Sequence, residues 1–313
     1  MAIRVVYRSH GGENAKDRPD YYSKLLGLLS FLRATDGMDL EIVYVNDGPI
    51  PEDRFRLMTA TGETVELPGV GMRGSYRAAL QVATSGRWPR EDVVWFSEDD
   101  YLYREDAFRR LERATATLDD AEYFALYAST PRHPAERDDE LPTHRPSGWR
   151  QLPPWQVDDQ AWVQIYSTTS SFGARIGALS DDLGIFRFCM VPHVRMLRDH
   201  DTCLLLQGFE PYSYATLARE AVGRGDGDGR ARARAAALAP FRLATNLRAH
   251  RRPSRRRLFL AADPNLATHM ETSLIGGGVD WPAVARETRA WAVQRGLLDP
   301  AVTEPAAVPY AGT

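Results

Sequence analysis

Short apolar runs broken by polar turns set the frame of this chain. Ile3–Tyr7 predicts a buried first strand, and the stretch Arg8–Asn14 after it is rich in turn formers. Between Asp20 and Arg33, Tyr22, Leu25, Leu26, Leu29 and Leu32 recur at helical spacing, and Asp36-Gly37 closes the helix. Glu41–Val45 predicts a second strand, stopped by Asn46, Asp47 and Gly48, and Thr64–Leu67 a short third one. The glycine-rich turn Gly69–Gly74 leads into a helical stretch, Ser75–Ala83. Val93, Val94, Trp95 and Phe96 form a continuous apolar run, the pattern of a strand buried on both faces. A helix is predicted from about Glu105 to Leu118. Strands alternating with helices in this way predict a mainly parallel sheet covered by helices on both faces.

The later chain is less regular. Tyr123–Tyr127 and Val157–Tyr166 have strand-like pattern, separated by Thr130–Arg150, which is rich in Pro, Arg, Asp and His. So long an irregular segment is either a functional loop or a disordered one. Trp149, Trp155 and Trp162 either line a groove that stacks on sugar rings or pack locally. Gly223–Gly229 predicts a flexible loop, and Asp280–Gly296 a closing amphipathic helix with Trp281, Val284 and Trp291. Pro300–Thr313 predicts a loosely docked tail.

Composition narrows the class. With 313 residues, 43% hydrophobic and 26% charged, the chain matches an ordinary globular protein of one large or two small domains. A formal charge of -3 gives no overall attraction to nucleic acid or anionic lipid. The Arg-rich stretch Arg219–Arg257 departs from that average. It suits an anionic partner or a solvated basic helix, and it lacks the interleaved aromatics of a nucleic-acid surface. Two cysteines, Cys189 and Cys203, make neither a disulfide framework nor a zinc site, which points to a reducing compartment. The opening residues predict no signal peptide, and no apolar run reaches the ~18 residues of a membrane span. The expectation is a cytoplasmic protein without a transmembrane segment or nucleic-acid partner, with peripheral membrane contact left open.

Candidate chemistry gathers at strand ends. Arg8 and His10 follow the first strand, Asp47 the second, and Glu98, Asp99 and Asp100 the long apolar one. Strand ends of a parallel sheet share one edge, where ligands bind. Three adjacent carboxylates repel one another. Either a hard divalent cation such as Mg²⁺ or Mn²⁺ offsets that repulsion, or the triplet is a solvated acidic turn ahead of the next helix. Asn46-Asp47-Gly48 can equally be a plain turn.

Further motifs carry a resemblance. Residues 41–48, the helix from Gly74 to Leu80 and the stretch Phe96–Leu102 are followed in order by Ser170–Phe186 and by Arg198–Phe209 with its Asp-His-Asp segment and Gly-Phe turn. Over about residues 3–215 this resembles the family 2-like glycosyltransferases of the GT-A fold. The resemblance implies a GT-A (Rossmann-like) mixed α/β fold, a mostly parallel sheet flanked by helices. Residues 1–218 would form the nucleotide-sugar-binding catalytic domain, and 219–313 an Arg-rich helical C-terminal extension completing the site. It implies a UDP-, GDP- or dTDP-linked sugar donor, an acceptor hydroxyl and an inverting, metal-dependent transfer. Asp47 would contact the nucleobase, with Arg8, His10, Arg77 and Glu98 lining the donor site. Asp99 and Asp100, joined by His269 from the tail, would hold Mn²⁺ or Mg²⁺. Asp199 would be the general base, with Asp201 its rival two residues away. Two departures stand out: Ser97 replaces the first Asp of the family's metal motif, and Arg198 replaces a Glu before the base. A nucleotidyltransferase, or a catalytically silent nucleotide-sugar-binding protein on the same fold, are the competing readings.

Overall fold

The computed structural model describes residues 1–13, 16–128, 146–191, 198–225, 227–251 and 253–299. Most of the expected loop at 130–150, and the whole tail from 300 to 313, lie outside these residues. The first half of the chain builds strands β1 (Ile3–His10), β2 (Glu41–Asp47), β3 (Glu63–Leu67) and β4 (Val93–Glu98). Helices α1 (Lys24–Ala34), α2 (Glu52–Thr61) and α3 (Gly71–Ala83) alternate with them. Then come β5 (Tyr101–Tyr103), α4 (Ala107–Thr117), β6 (Tyr123–Ala125), β7 (Trp155–Val157), β8 (Gln160–Gln164) and β9 (Phe172–Arg175). The remainder is α5 (Ile176–Cys189), α6 (Asp199–Gln207), α7 (Tyr214–Ala221), α8 (Gly229–Ala249), β10 (Phe259–Asp263), β11 (Ala267–His269) and α9 (Trp281–Gln294).

The main sheet runs β3-β2-β1-β4-β9-β6-β10-β8-β7, and β11 pairs with β5 in a separate ribbon. β3, β2, β1 and β4 are parallel, β9 runs antiparallel to both β4 and β6, and β8 antiparallel to β10 and β7. This is the expected mixed, mostly parallel sheet flanked by helices. Its two faces carry separate cores. Val5, Tyr7, Tyr44 and Trp95 face α1 and α4 with Phe31 and Phe108, while Val6, Val43, Val45, Val94 and Phe96 face α3 and α5 with Tyr76, Phe172 and Phe186. Strict alternation along β1 and β4 therefore decides which side chain reaches which side.

Several elements differ from expectation. α2 was missed because only Arg54, Leu57 and Met58 are buried along it, too few to give a helical stripe. α3 starts at Gly71, so the glycine turn is its first turn. The single strand expected at 157–166 is a β7–β8 hairpin, turned at Asp158 with φ 52°. From beyond residue 218, β10 inserts into the sheet between β6 and β8. Among the described residues no helix is long and apolar enough to cross a membrane.

Close packing fixes the edge where the strands end. A Cβ on Gly27 would lie 2.7 Å from the Asp99 carbonyl oxygen, so α1 presses its backbone directly on the turn after β4. A Cβ on Gly11 would lie 1.8 Å from the Pro49 carbonyl, which holds the loop after β1 against the loop after β2.

Candidate active site

The acidic run at the end of β4 does not stay together. Glu98 continues the Val94–Phe96 side and faces α3, whereas Asp99 follows Trp95 and Ser97 to the α1 side. Ser97 is buried and bonds the Tyr103 hydroxyl at 2.8 Å, inside the aromatic layer with Trp95.

On the α3 side Glu98 is paired with Arg8, whose guanidinium also donates to the Met72 carbonyl at 3.2 Å and to the hydroxyls of Ser75 and Ser170 at 3.3 Å. The same guanidinium lies over the Tyr76 ring at 5.3 Å. Facing this pair is Asp199, the first residue of α6. It lines a small cavity of about 10 Å³ with Tyr76, Thr169, Phe172, Phe186 and Cys203, room for about one water. No hydrogen bond or ion pair to Asp199 is formed by the described residues. Burial in this apolar pocket, then repulsion from Glu98, pushes its carboxyl up to about 7, against the opposing pull of Arg8.

Asp201, the rival, is committed elsewhere. It accepts from Arg198 Nε at 2.6 Å and from the Tyr212 hydroxyl at 2.8 Å, while Arg198 also donates to Thr245 of α8 at 2.9 Å. Arg198, the departure before the presumed base, therefore ties α6 to α8. Asp47 points to the α3 side, where one oxygen accepts the Val70 N–H at 2.6 Å and anchors the start of α3. Arg77 is exposed on α3.

On the α1 side Asp99 and Asp100 are closed by fixed cations. Asp99 Oδ2 accepts from Ser9 Oγ and the His10 N–H, both at 2.9 Å, with Lys24 Nζ at 3.1 Å and Arg54 at 3.7 Å. Lys24 and Arg54 are themselves buried and also bond carbonyls of the loop after β1: Lys24 those of His10 and Gly12, Arg54 those of His10 and Gly11. His10 further contacts the Gly12 carbonyl through Nδ1 at 2.9 Å. Asp100 Oδ2 lies 3.1 Å from Arg18, 3.1 Å from His269 Nε2 and 3.9 Å from Lys16. Burial alone would raise the Asp100 carboxyl, but His269, Lys16 and Arg18 outweigh it and hold it far below the usual carboxylate range.

The tail thus does bring His269 to Asp100, through the β11–β5 pairing of His269 with Tyr101. Protein cations nonetheless already neutralise both carboxylates without a metal. One oxygen of each, Oδ2, already takes N–H and O–H donors, from Ser9, His10 and Lys24 at Asp99 and from Arg18 at Asp100. Among the described residues no cluster of three or more His, Cys, Asp or Glu is arranged to hold a metal. Sequence reasoning missed Lys24, Arg54 and Arg18. The one available signal was Lys24, a charge standing at the head of the apolar run of α1.

Of the three tryptophans, Trp162 is wholly buried, edge-on to Phe124 at 6.0 Å, and Trp155 packs against the same core. Trp149 is half-buried and rests on Tyr166 at 5.2 Å and Phe209 at 5.4 Å.

The fold and this edge define a mixed α/β protein with a carboxylate-and-arginine cleft at the ends of its parallel strands. No protein-family model matches the chain, and no curated protein matches it in sequence. Solved structures share fold-level similarity. Residues 1–349 of TarS from S. aureus, in complex with UDP-GlcNAc, align with 13% identity over 65% of this chain and 52% of that one, at a TM-score of 0.38. The glycosyltransferase GlyE of Streptococcus pneumoniae TIGR4 aligns with 10% identity over 97% of this chain and 66% of that one, at 0.39. A CMP:2-keto-3-deoxy-manno-octonic acid synthetase complexed with CTP aligns with 14% identity over 94% and 100%, at 0.39. The chain spans about half the length of the TarS fragment.

Proposed function

We propose that this protein is a glycosyltransferase that moves a sugar from a nucleotide-diphosphate sugar to an acceptor hydroxyl with inversion, using Asp199 as general base. The observation that supports it is the Asp199 carboxylate: no described residue is bonded to it, and burial and Glu98 raise it to about 7 beside the Arg8–Glu98 pair. A carboxyl tuned near the working pH suits proton transfer. In the reaction the acceptor O–H gives its proton to Asp199 as its oxygen bonds the anomeric carbon. The bond from that carbon to the diphosphate oxygen breaks, and its electron pair leaves with the nucleoside diphosphate.

Arg8, paired with Glu98 on this side of the sheet, would face the negative charge that accumulates on the leaving group. In this reading Asp47, at a strand end on the same side, would contact the nucleobase. In this reading the transfer needs no metal, because Asp99 and Asp100 already have protein cations.

The test is a panel of UDP-, GDP- and dTDP-sugars assayed for nucleoside diphosphate release, with and without excess EDTA. Release that disappears in Asp199→Asn supports the reading. Pyrophosphate release from a nucleoside triphosphate and a sugar phosphate would replace it with the nucleotidyltransferase. Donor binding with no turnover in either assay would leave a binding protein.

A further inference from the structure

Between Gly229 and Arg257 the sequence holds ten arginines and not one Asp or Glu. The whole chain carries -3, so removing these ten cations leaves -13 on the rest. This is a local charge separation, not a basic protein. Some of the cations are spent inside the fold: Arg242 pairs with Glu220, and Arg251 and Arg257 with Asp182. Arg230, Arg232, Arg234, Arg248, Arg255 and Arg256 are exposed, and no described carboxylate pairs with them.

The apolar residues of α8 divide in the same way. Ala239, Thr245, Asn246 and Ala249 are buried, the side on which Arg198 and Tyr212 bond Thr245 and Asn246. The opposite side leaves Leu243 and Leu247 exposed, at 42% and 59%, one turn apart. At 100° per residue, Ala237, Pro240 and Ala244 fall between them and Arg230, Arg234 and Arg248 on one flank, with Arg232 on the other. An apolar stripe edged by arginine is the pattern of a helix lying in a lipid interface.

We propose that this face of α8 docks on an anionic lipid bilayer, with Leu243 and Leu247 entering the boundary between headgroups and acyl chains and the arginines against the headgroups. A phosphate backbone would use the arginines but leave the two leucines in water, and no exposed aromatic is present on the stripe to stack on bases. A second copy would set one unpaired arginine cluster against another. α8 rests on α6 through Arg198 and Thr245, so docking would hold Asp199 one helix away from the membrane surface. The proposal stands independently of the reaction assigned above.

The full chain would be sedimented with phosphatidylcholine vesicles, with and without phosphatidylglycerol. Binding is expected only to the anionic vesicles and weakens with salt. At about fivefold in affinity per arginine near the surface, Arg230→Gln and Arg234→Gln together reduce partitioning ~25-fold. Leu243→Ser with Leu247→Ser reduces it ~10-fold, and both variants melt like the parent because every altered position is exposed. Equal binding to neutral vesicles, no binding to anionic ones, an unaffected leucine variant, or duplex DNA held as tightly as lipid would each overturn it.

Discussion

Glu98 and Asp99 are adjacent in sequence, yet their carboxylates leave the end of β4 on opposite faces of the sheet: Glu98 meets Arg8 beside α3, and Asp99 meets Lys24 and Ser9 beside α1. A run of three acids therefore does not make one charge cluster. It makes one carboxylate that shapes a cleft and two that are neutralised by the scaffold. The strand's period of two is the cause. The consequence is that Asp199 feels Glu98 and Arg8, not the whole triplet.

Asp199→Asn should lower turnover by ~10²–10⁴ with little change in donor KM, the usual contribution of a positioned base. For the proposed transfer the base must be deprotonated, so the rate of the unaltered protein should fall as pH drops through about 7. Stability moves the opposite way. Asp199 binds its proton more tightly folded than unfolded, so its contribution is fully present below the ordinary carboxylate range and is lost as pH rises toward 7. Partly exposed as it is, its replacement should raise stability at pH 8 by on the order of 1–2 kcal/mol, read by urea denaturation. A pH–rate profile flat from 5 to 9 would defeat the assignment.

Changing the neighbours should move that limb in opposite directions. Glu98→Gln removes the repulsion and should shift the acidic limb to lower pH. Arg8→Met removes the opposing cation and should shift it upward, with weaker donor binding as well. The check is the pH dependence of kcat for the two variants side by side. Shifts of the same sign would show that the limb belongs to another group.

How much of this was legible follows from which forces act locally. β1, β2 and β4 announced themselves because both of their faces are buried, which demands near-continuous apolar runs. β10 did not: Phe259–Asp263 is short, ends in a charge and follows a run of arginines, and only its central place in the sheet gives it meaning. Strand ends alone put Arg8, Asp47 and Glu98 on one edge, but the same reasoning put Asp99 and Asp100 with them, and Asp99 turns to the other face. The cations that close Asp99 and Asp100 were not readable, because Arg18, Lys24 and Arg54 come from a loop and two helices whose approach is a tertiary fact. In sequence Asp201 was a close rival of Asp199, two residues away. Only the positions of Arg198 and Tyr212 separate them.

The protein cations on the α1 side lead to an expectation about metals. Transfer in excess EDTA should stay within about twofold of the rate with Mn²⁺, since no catalytic charge would depend on the ion. Lys24→Met should instead destabilise the fold by about 3–5 kcal/mol, because it leaves buried Asp99 short of its nearest cation and frees the carbonyls of His10 and Gly12. Pairing it with Asp99→Asn should recover part of that loss, a coupling visible in a double-mutant cycle of denaturation midpoints. Activity that vanishes with chelator and returns with Mn²⁺ would show that the ion displaces Arg18 or Lys24.

The two aspartates of α6 offer the sharpest separation of role from neighbourhood. Asp201 holds Arg198 at 2.6 Å and Tyr212 at 2.8 Å, and Arg198 in turn holds α8, so Asp201→Asn weakens a buried ion pair that joins two helices. Removing one partner of such a pair leaves an uncompensated charge, and a loss of about 2–4 kcal/mol in stability should follow. Arg198→Met should cost a similar amount, and the two together less than the sum. Below the melting temperature, however, Asp201→Asn should keep the acidic limb near 7, since the proposed base is Asp199. The measurement is kcat against pH at a temperature where both variants are folded by circular dichroism. If the limb disappears with Asp201 and survives in Asp199→Asn, the roles are reversed and the base is the residue bonded to arginine.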